Sequence, residues 1–404
     1  MKILHVHNHY RTPGGEDRVF AATLELLVAN GHRNITFERS SAEIRGAGGR
    51  VRAFTHGIYS FASKKEFRRL LVANAIDVVH IHNVYPLISP SILPVCKEFG
   101  LPVVMRCPNY RLLCPTALLL RKGAQCEKCV GGREHWCLLT NCSGNIAQSL
   151  GLTLRNYVAR KLELFIGHVD CFLPPSEYVK TRLVAAGFDG DKIRVLPNMV
   201  HAIDREKTAG DGDYVAFVGS LHQHKGIDIF VRSAGELSGV RFRIAGSGPE
   251  CARLEKEAPA NVHFEGHLAG DKLEEFYRQA AVVVVPSLAP ETFGLAAAEA
   301  MGFGLPVIAS NIGALPEVVR DKQTGLLFEP GNVGELSQKI ELLLGSPTQR
   351  KQMGENGRVH CFENFSAERH YHNLLDIYSR LVTNSNRNEH AHPDARLRSL
   401  PISI

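Results

Sequence analysis

The stretch that decides the fold runs from Val282 to Gly302 and reads Val-Val-Val-Val-Pro-Ser-Leu-Ala-Pro-Glu-Thr-Phe-Gly-Leu-Ala-Ala-Ala-Glu-Ala-Met-Gly. An apolar strand, a short turn and a helix of small residues form the repeating unit of a parallel α/β sheet. We predict that the helix begins close to Thr292, with Glu291 at its mouth and Glu299 about two turns further along. Free amides at this helix start, with the close approach that Gly294 allows, favour a phosphate. The two carboxylates would then hold opposite ends of an elongated ligand.

An ordinary helix with one acid at its N-terminus and one solvated acid would have the same spacing. The neighbouring segments therefore have to distinguish a ligand-binding helix from an ordinary one. The strands upstream end in glycine, which lets the backbone approach a ligand closely. Lys225, at the start of the next helix, can meet a diphosphate as a point charge. The glycine-ended segments are 214–219, 241–246 with Gly248 after it, and 262–266 with His267 after it.

Short apolar strands also alternate with helical segments in the first half of the chain, and the polar stretch 202–213 separates the two series. We therefore predict an α/β protein with two doubly wound, Rossmann-like domains whose carboxyl strand ends face each other across a cleft. The predicted divisions are an N-terminal domain (1–196) with a cysteine-rich insert at about 107–142, a linker (197–213), a C-terminal ligand-binding domain (214–365), a terminal helix (366–383) and a disordered tail (384–404).

Composition limits the function classes. The chain has 404 residues, 44% hydrophobic and 22% charged, which is enough for two cores. A net charge of +6 fits anionic ligands and falls short of a nucleic-acid-binding surface. No apolar run approaches the ~18 residues of a membrane span, and the first residues lack the apolar core of a signal peptide. We expect a cytoplasmic protein, peripheral on the inner face of the membrane, with thiols or metal ligands rather than disulfides among its cysteines.

The motifs stand in a specific order: Gly-x-Leu with Lys-Gly (219–226), Gly-x-Gly (246–248), Phe-x-Gly-x-Leu (264–268), Glu-x-Phe-Gly-Leu-x-x-x-Glu-Ala-Met-Gly (291–302), Gly-x-Pro-Val-Ile-Ala-Ser (304–310) and Gly-Ala-Leu-Pro-Glu (313–317). This order resembles the family 4 glycosyltransferases, retaining GT-B enzymes that use nucleotide sugars. The match is tight from 214 to about 345 and looser in the N-terminal half. There, residues 101–115 resemble a subgroup with a cysteine-rich insert.

The resemblance implies a role for each matching position. Glu291 would hydrogen-bond the donor sugar, Glu299 would hold the ribose hydroxyls, and Lys225 would neutralise the diphosphate without any cofactor. His267 would lie beside the nucleobase. The catalytic candidates are Glu291, Lys225 and Asn109, and the donor-binding candidates are Gly14, Gly15, Gly219, Ser220, Lys225, Gly246, Gly248, His267, Glu291, Thr292, Phe293, Gly294, Leu295 and Glu299.

Two positions depart from the family pattern. Ser220 stands where the family usually carries an arginine, so Lys225 would act alone or with an arginine from elsewhere. Pro108 stands where the subgroup has a histidine near the reacting sugar. A retaining enzyme does not clearly need that base, because the leaving phosphate can take the acceptor's proton.

On the acceptor side, His80 and His82 alternate on the strand 78–82, so both side chains point to one face. A histidine inside a strand is more often a core residue, but this pair lies at the strand's carboxyl end. We therefore keep His80 and His82 as acceptor-side candidates beside Arg106.

A cysteine cluster follows. Its spacing, which includes Cys126-x2-Cys129, is compatible with a structural zinc ion bound by thiolates. The second Cys-x2-Cys pair of common zinc sites is absent, so a loop of free thiols or labile disulfides is the alternative. The candidate ligands are Cys114, Cys126, Cys129, Cys137 and Cys142.

The segment from Arg45 to Arg69 is basic and carries Phe54, Tyr59, Phe61 and Phe67. Such a segment could rest on an anionic membrane and bring the enzyme to a polyprenyl- or lipid-linked acceptor. A solvated helix face with core aromatics would have the same composition.

Taken together, the residues and the resemblance predict a retaining glycosyltransferase that moves a sugar from a UDP- or GDP-sugar to a glycan or lipid-linked acceptor in bacterial surface polysaccharide or lipopolysaccharide synthesis. No motif for the cofactor lysine of a GT-B phosphorylase is recognised, and an epimerase would need a different carboxylate pattern. The alternative from another class is a catalytically impaired GT-B protein that binds nucleotide sugar or glycan as a partner subunit.

Overall fold

The computed structural model of the protein describes residues 1–12, 14–200 and 212–391, with backbone alone for 386–391. Most of the predicted linker and the last thirteen positions of the predicted tail lie outside these ranges. Among the described residues, no helix combines the length and apolar character needed to cross a bilayer.

The first half of the chain alternates strands and helices as the apolar pattern predicts. Its strands are β1 (Lys2–His9), β2 (Arg33–Ser40), β3 (Val78–Asn83), β4 (Val103–Arg106), the hairpin β5 (Leu120–Arg121) and β6 (Ala124–Gln125), and β7 (Cys171–Leu173). Its helices are α1 (Gly15–Ala29), α2 (Gly46–Ile58), α3 (Phe61–Ala73), α4 (Leu93–Glu98), α5 (His135–Leu139), α6 (Ile146–Lys161) and α7 (Glu177–Ala185).

The main N-terminal sheet is parallel, with the strand order β2-β1-β3-β4-β7. Alternate residues of β1 face opposite sides: Leu4 and Val6 enter a core with α3 and α4, whereas Ile3 enters a second core with α1. The histidines of β1 and β3 share the face of Ile3, because residues two apart on a strand point the same way.

The second half repeats the pattern. Its strands are β8 (Tyr214–Val218), β9 (Arg241–Ala245), β10 (Val262–Gly266), β11 (Ala280–Val285), β12 (Val307–Ser310) and β13 (Gly325–Phe328). Its helices are α8 (Ile227–Glu236), α9 (Cys251–Glu257), α10 (Asp271–Arg278), α11 (Leu295–Gly302), α12 (Leu315–Val318), α13 (Val333–Leu344), α14 (Pro347–Phe365) and α15 (Ala367–Ala391).

The C-terminal sheet is also parallel, in the order β10-β9-β8-β11-β12-β13. Two separate cores cover its faces, one built with α8 and α13 and the other with α11 and α14. The doubly wound architecture predicted for both halves is thus the observed one. Strand β11, which contains the apolar run from Val282 to Val285, lies near the middle of this sheet and is buried along its whole length.

Helix α15 crosses back to the first domain. Leu374 and Tyr378 are fully buried there, against Ile3, Val78 and Val104 of the N-terminal sheet. The helix continues to Ala391, eight residues past the predicted end at 383. Nothing before Pro393 in the sequence forbids a helix, so the backbone hydrogen bonds run on beyond the last core contact.

Leu374→Ala should lower the free energy of unfolding by about 2–5 kcal/mol, because a fully buried leucine leaves a cavity where α15 docks. Urea-induced unfolding measures the loss. Leu342→Ala on α13, whose side chain is 52% exposed, is the matched control and should change stability by no more than about 0.5 kcal/mol. Equal effects of the two substitutions would show that α15 contributes little to the first domain.

Candidate functional site

The carboxyl ends of the two sheets meet at the segment that links β11 to α11. Glu291 lies there with its side chain 16% exposed, and its Oε1 accepts hydrogen bonds from Lys225 Nζ (2.7 Å) and Ser287 Oγ (2.6 Å). Both donors bond the same oxygen, so Oε2 remains to accept from a ligand. The sequence-predicted pair Glu291 and Lys225 is therefore one structural unit.

Electrostatics keep this carboxylate charged. Burial alone would raise the pKa of Glu291, but the Lys225 ammonium and the bonds from Lys225 and Ser287 hold that pKa below its ordinary value. The neighbouring His224 is neutral, since burial and the Lys225 charge lower its pKa to about 4. An acceptor-only carboxylate beside an ammonium suits a ligand that carries both hydroxyls and phosphate.

Glycines allow the backbone crossings that position this pair. A Cβ on Gly226, just after Lys225, would lie 1.7 Å from the carbonyl oxygen of Pro286. A Cβ on Gly313 would lie 2.4 Å from the Glu291 nitrogen, and Gly313 has a φ of 63°, in the left-handed region. Both sites require glycine, and the 313–317 motif is thereby explained as the support of Glu291.

Helix α11 begins at Leu295 and not close to Thr292, as the sequence suggested. Gly294 is its N-cap in the left-handed conformation, with a φ of 99°, so residues 291–294 form a turn. Glu299 therefore lies about one turn, roughly 6 Å, along the helix. Phe293 and Gly294 are buried, while Thr292 and Leu295 are partly exposed at the mouth of the helix.

Glu299 is held by two donors. Tyr277 Oη lies 3.1 Å from Oε2, and Arg18 Nη1 lies 3.0 Å from Oε1. Arg18 belongs to α1 of the other domain and is 55% exposed, so this ion pair spans the cleft. No local sequence signal distinguished Arg18, because its partner is 281 positions away.

Backbone packing explains the glycines after β8 and β9. A Cβ on Gly246 would lie 1.8 Å from the Gly219 carbonyl oxygen, and one on Gly248 would lie 2.5 Å from that of Leu221. These glycines let two loops pack on each other at the sheet edge, which requires glycine independently of any ligand. Ser220 and His267 are exposed on this rim.

The glycine loop after β1 reaches the same place from the N-terminal domain. A Cβ on Gly15 would lie 3.2 Å from Leu295 Cδ1, so the loop abuts the start of α11. Asp17 accepts hydrogen bonds from the Gly14 amide (3.0 Å) and from His7 Nε2 (3.0 Å). This aspartate, which sequence reasoning did not single out, fixes the loop.

The segment 108–110 completes the contact between the domains. Thr292 Oγ1 donates to the Pro108 carbonyl (2.8 Å), and Tyr110 Oη donates to the Glu291 carbonyl (3.1 Å). Asn109 donates from Nδ2 to Glu16 Oε1 (2.7 Å). Asn109, the predicted catalytic asparagine, therefore lies beside the glycine loop at the cleft.

The other acceptor-side candidates lie inside the domain rather than in the cleft. His80 and His82 do share a face, with ring centroids 4.1 Å apart, but they are only 1% and 5% exposed. Arg106 is 3% exposed and donates to the Leu196 carbonyl and to Asn198. The reason is that β3 and β4 are central strands, whose side chains α15 and α1 cover.

The predicted cysteine ligands are free thiols. Burial, with the neighbouring thiols Cys114, Cys137 and Cys142, raises the pKa of Cys129 to about 12. Among the described residues, two sets of three His, Cys, Asp or Glu side chains have ligand atoms within 4.8 Å of one another, and neither contains a cysteine. Cys114, Cys129, Cys137 and Cys142 are nevertheless neighbours, so the structural zinc site at the cysteine cluster stays a prediction.

Two family models match the chain. Residues 14–199 match the glycosyl transferase 4-like domain, and residues 201–360 match the glycosyl transferases group 1. Together these models cover both sides of the cleft and contain every candidate residue of the site.

Curated relatives match over part of their length. An uncharacterized glycosyltransferase of Methanocaldococcus jannaschii is 32% identical over 52% of this chain and 60% of its own length. A D-inositol 3-phosphate glycosyltransferase of Mycobacterium sp. (strain KMS) is 36% identical over 45% of this chain and 43% of its own. The matched segments therefore span about half of these relatives.

Solved structures with the same fold match over nearly the whole chain. Sucrose-phosphate synthase of Thermosynechococcus elongatus has a TM-score of 0.71 at 19% identity, covering 95% of this chain and 100% of that one. The Anabaena protein HepE, solved with UDP-glucose, has a TM-score of 0.65 at 16% identity, covering 94% and 100%. These likenesses establish the two-domain GT-B architecture.

Gly313→Ala should destabilise the second domain by about 1–2 kcal/mol from left-handed strain alone, with a further loss from the clash with Glu291. Thermal unfolding measures the effect. Gly239→Ala is the matched control, because a Cβ there would meet nothing within 4 Å and its φ is not left-handed. If both variants melted alike, the support assigned to Gly313 would be wrong.

Proposed function

This chain belongs to the group 1 glycosyl transferases with a GT-B fold, and from that premise we propose that it moves a sugar from a nucleoside-diphosphate donor, UDP- or GDP-linked, to an acceptor hydroxyl with retention of configuration. The observation that carries the proposal is the ionised, mostly buried Glu291 paired with Lys225 at the mouth of α11. This pair offers hydroxyl acceptors and a phosphate cation side by side.

The donor would lie along the edge of the C-terminal sheet. Glu291 Oε2 would accept from the sugar hydroxyls, while Lys225 and the free amides at the start of α11 would face the diphosphate. Glu299, oriented by Tyr277, would accept from the ribose hydroxyls. The exposed rim that contains His267 would then meet the base.

In the transfer, the bond from the anomeric carbon to the phosphate oxygen breaks and a bond to the acceptor oxygen forms on the same face. The acceptor's proton passes to the leaving phosphate oxygen. Lys225 would stabilise the charge that develops on the leaving group. Asn109, held by Glu16, would orient the acceptor hydroxyl, and no side chain is required as the base.

Arg18 would supply the second phosphate cation. Lys225 is already neutralised by Glu291, so a bound diphosphate needs further positive charge. The residue after Gly219, where the family usually carries an arginine, is the uncharged Ser220 and cannot supply it. Arg18 lies across the cleft on Glu299 and is half-exposed, so it can exchange this partner for a phosphate when ribose occupies Glu299.

The acceptor would be a glycan or a lipid-linked glycan of bacterial surface polysaccharide or lipopolysaccharide synthesis. One surface favours docking on an anionic membrane. Val51 and Phe54 of α2 are 63% and 41% exposed, and Ile146 and Leu150 of α6 are 68% and 38% exposed. The two helices contact each other, with the Phe54 ring against Gly151. Val51, Phe54, Ile146 and Leu150 together are called the α2–α6 face, and the exposed Arg45 and Arg50 flank it.

Glu291→Ala should lower donor turnover by about 10²–10³-fold, because it removes the carboxylate that orients the sugar. Nucleotide release from a panel of UDP- and GDP-sugars measures turnover, and thermal shift identifies the bound donor, since a ligand stabilises the fold to which it binds. Glu341→Ala, an exposed glutamate on α13, should behave as wild type. A wild-type protein that binds a donor but neither hydrolyses nor transfers it would favour the non-catalytic partner subunit.

Arg18→Gln should lower kcat/KM for the donor roughly 10–100-fold, the value of a hydrogen bond to a charged group. Ser220→Arg in the Arg18→Gln background should restore part of the loss, because it returns a cation to the other side of the diphosphate. Arg33→Gln, at the amino end of β2, is the control. An unchanged kcat/KM in Arg18→Gln would limit Arg18 to its pairing with Glu299.

The double substitution Val51→Ser with Ile146→Ser should weaken binding to phosphatidylglycerol vesicles by about tenfold or more, through lost apolar burial. Co-sedimentation measures binding, and phosphatidylcholine vesicles should bind less because the cations add little there. Leu342→Ser is the control, because Leu342 of the second domain is also an exposed apolar residue, at 52%. Equal binding of all three proteins would exclude the α2–α6 face as the membrane contact.

A further inference from the structure

Three buried histidines lie together on β1 and β3, on the face of the N-terminal sheet that α1 and α15 cover. His5, His80 and His82 are 0%, 1% and 5% exposed, and one ring nitrogen of each lies within 4.8 Å of the other two. The strands that carry them are hydrogen-bonded neighbours, with His5 directly opposite His80. The donor and acceptor roles assigned above use none of these rings.

Some hydrogen bonds of the rings point outward, to residues around the set of three, and one points inward, between two of the rings. Outward, His5 Nε2 lies 3.2 Å from Asn34 Oδ1, and His80 Nδ1 lies 2.5 Å from Tyr378 Oη. Inward, His5 Nδ1 lies 3.1 Å from His82 Nε2. His80 Nε2 has no hydrogen-bond partner among the described residues, although it is fully buried.

We propose that His5, His80 and His82 bind a divalent transition-metal ion of the zinc class, through His5 Nδ1, His80 Nε2 and His82 Nε2. Imidazole nitrogens suit such ions, and ligands at ~2.0–2.1 Å in a tetrahedron stand about 3.3 Å apart. The 3.1 Å between His5 Nδ1 and His82 Nε2 is close to that distance, and the atom of His80 lies within 4.8 Å of both. The ion would give the unpartnered nitrogen of His80 a bond.

The outward bonds are those that a metal site needs. A ligating histidine usually donates its other N–H to an oxygen, which fixes the tautomer and turns the lone pair toward the ion. Asn34 Oδ1 accepts that proton from His5, and Tyr378 Oη can accept it from His80. Because Tyr378 lies on α15, the ion would also join the C-terminal helix to the N-terminal sheet.

The charge of a divalent ion, which the three imidazole ligands do not balance, determines the fourth ligand. The three rings are buried, and Arg106 adds a positive charge close to His80 and His82. No carboxylate belongs to the set, so we expect a hydroxide to complete the coordination. The ion would be structural and independent of sugar transfer.

The second set in the described residues, His7, His9 and Asp17, fits a metal less well. Its three candidate ligand atoms already bond one another, with Asp17 Oδ1 accepting from His7 Nε2 at 3.0 Å and from His9 Nδ1 at 3.1 Å. A metal on His7 Nε2 would force the proton onto Nδ1, which is buried without a partner. His9→Ala therefore serves as the matched control.

The test adds Co²⁺ to the untagged, metal-free full chain and follows binding by visible absorption, metal content and melting temperature. We expect one ion per chain, d–d bands without a thiolate charge-transfer band, and a higher melting temperature. His80→Ala and His82→Gln should lose the ion, whereas His9→Ala and Cys129→Ser should keep it.

A milder variant guards against misfolding of the histidine variants. Tyr378→Phe keeps all three ligands and should weaken Co²⁺ affinity about 10–100-fold. Absence of binding in the wild type, equal binding in His80→Ala, or a charge-transfer band that Cys129→Ser removes would each overturn the proposal.

Discussion

The hydrogen-bonded ion pair between Glu291 and Lys225 is the interaction on which the arrangement of the cleft depends. A mostly buried carboxylate is costly unless a charge and hydrogen bonds compensate it, and Lys225 with Ser287 supplies both. To bring the two side chains together, the chain must cross itself at Gly226 and at Gly313, where a side chain would collide with backbone. The glycines of these motifs are thus consequences of one buried charge.

The same carboxylate residue also joins the domains through its backbone. Tyr110 donates to the carbonyl of Glu291, and the adjacent Thr292 donates to Pro108. At the far side of the interface, Glu317 accepts from the Glu177 and Tyr178 amides at the start of α7. Since Glu317 ends the 313–317 motif, one short segment both supports Glu291 and holds the N-terminal domain. A shift of either domain relative to the other would therefore displace Glu291.

The sequence was informative where one local pattern determines the structure. The apolar runs predicted both parallel sheets, and the segment 290–302 predicted a helix that carries Glu299, with Glu291 just before its start. It misplaced the helix start because Gly294 can adopt the left-handed conformation that begins α11 three residues late. It also treated Arg106 as a cleft residue, because the helix that buries it, α15, is more than 260 positions away in the chain. Arg18 and Asp17 had no local signal, since their roles depend on contacts that only the folded chain creates.

The charges of the free cleft are balanced in pairs, Lys225 with Glu291 and Arg18 with Glu299. A diphosphate that enters must therefore break or share these pairs rather than meet two free cations. Partly exposed pairs such as Arg18 with Glu299 contribute about 0–1 kcal/mol, so exchanging that partner costs little, whereas Lys225 is bound to a buried carboxylate and should stay. Ribose on Glu299 would release Arg18 at the moment when phosphate arrives. In the proposed function the two cations would then differ in kind: Lys225 would be fixed before the donor binds, and the donor would recruit Arg18 from the opposite domain.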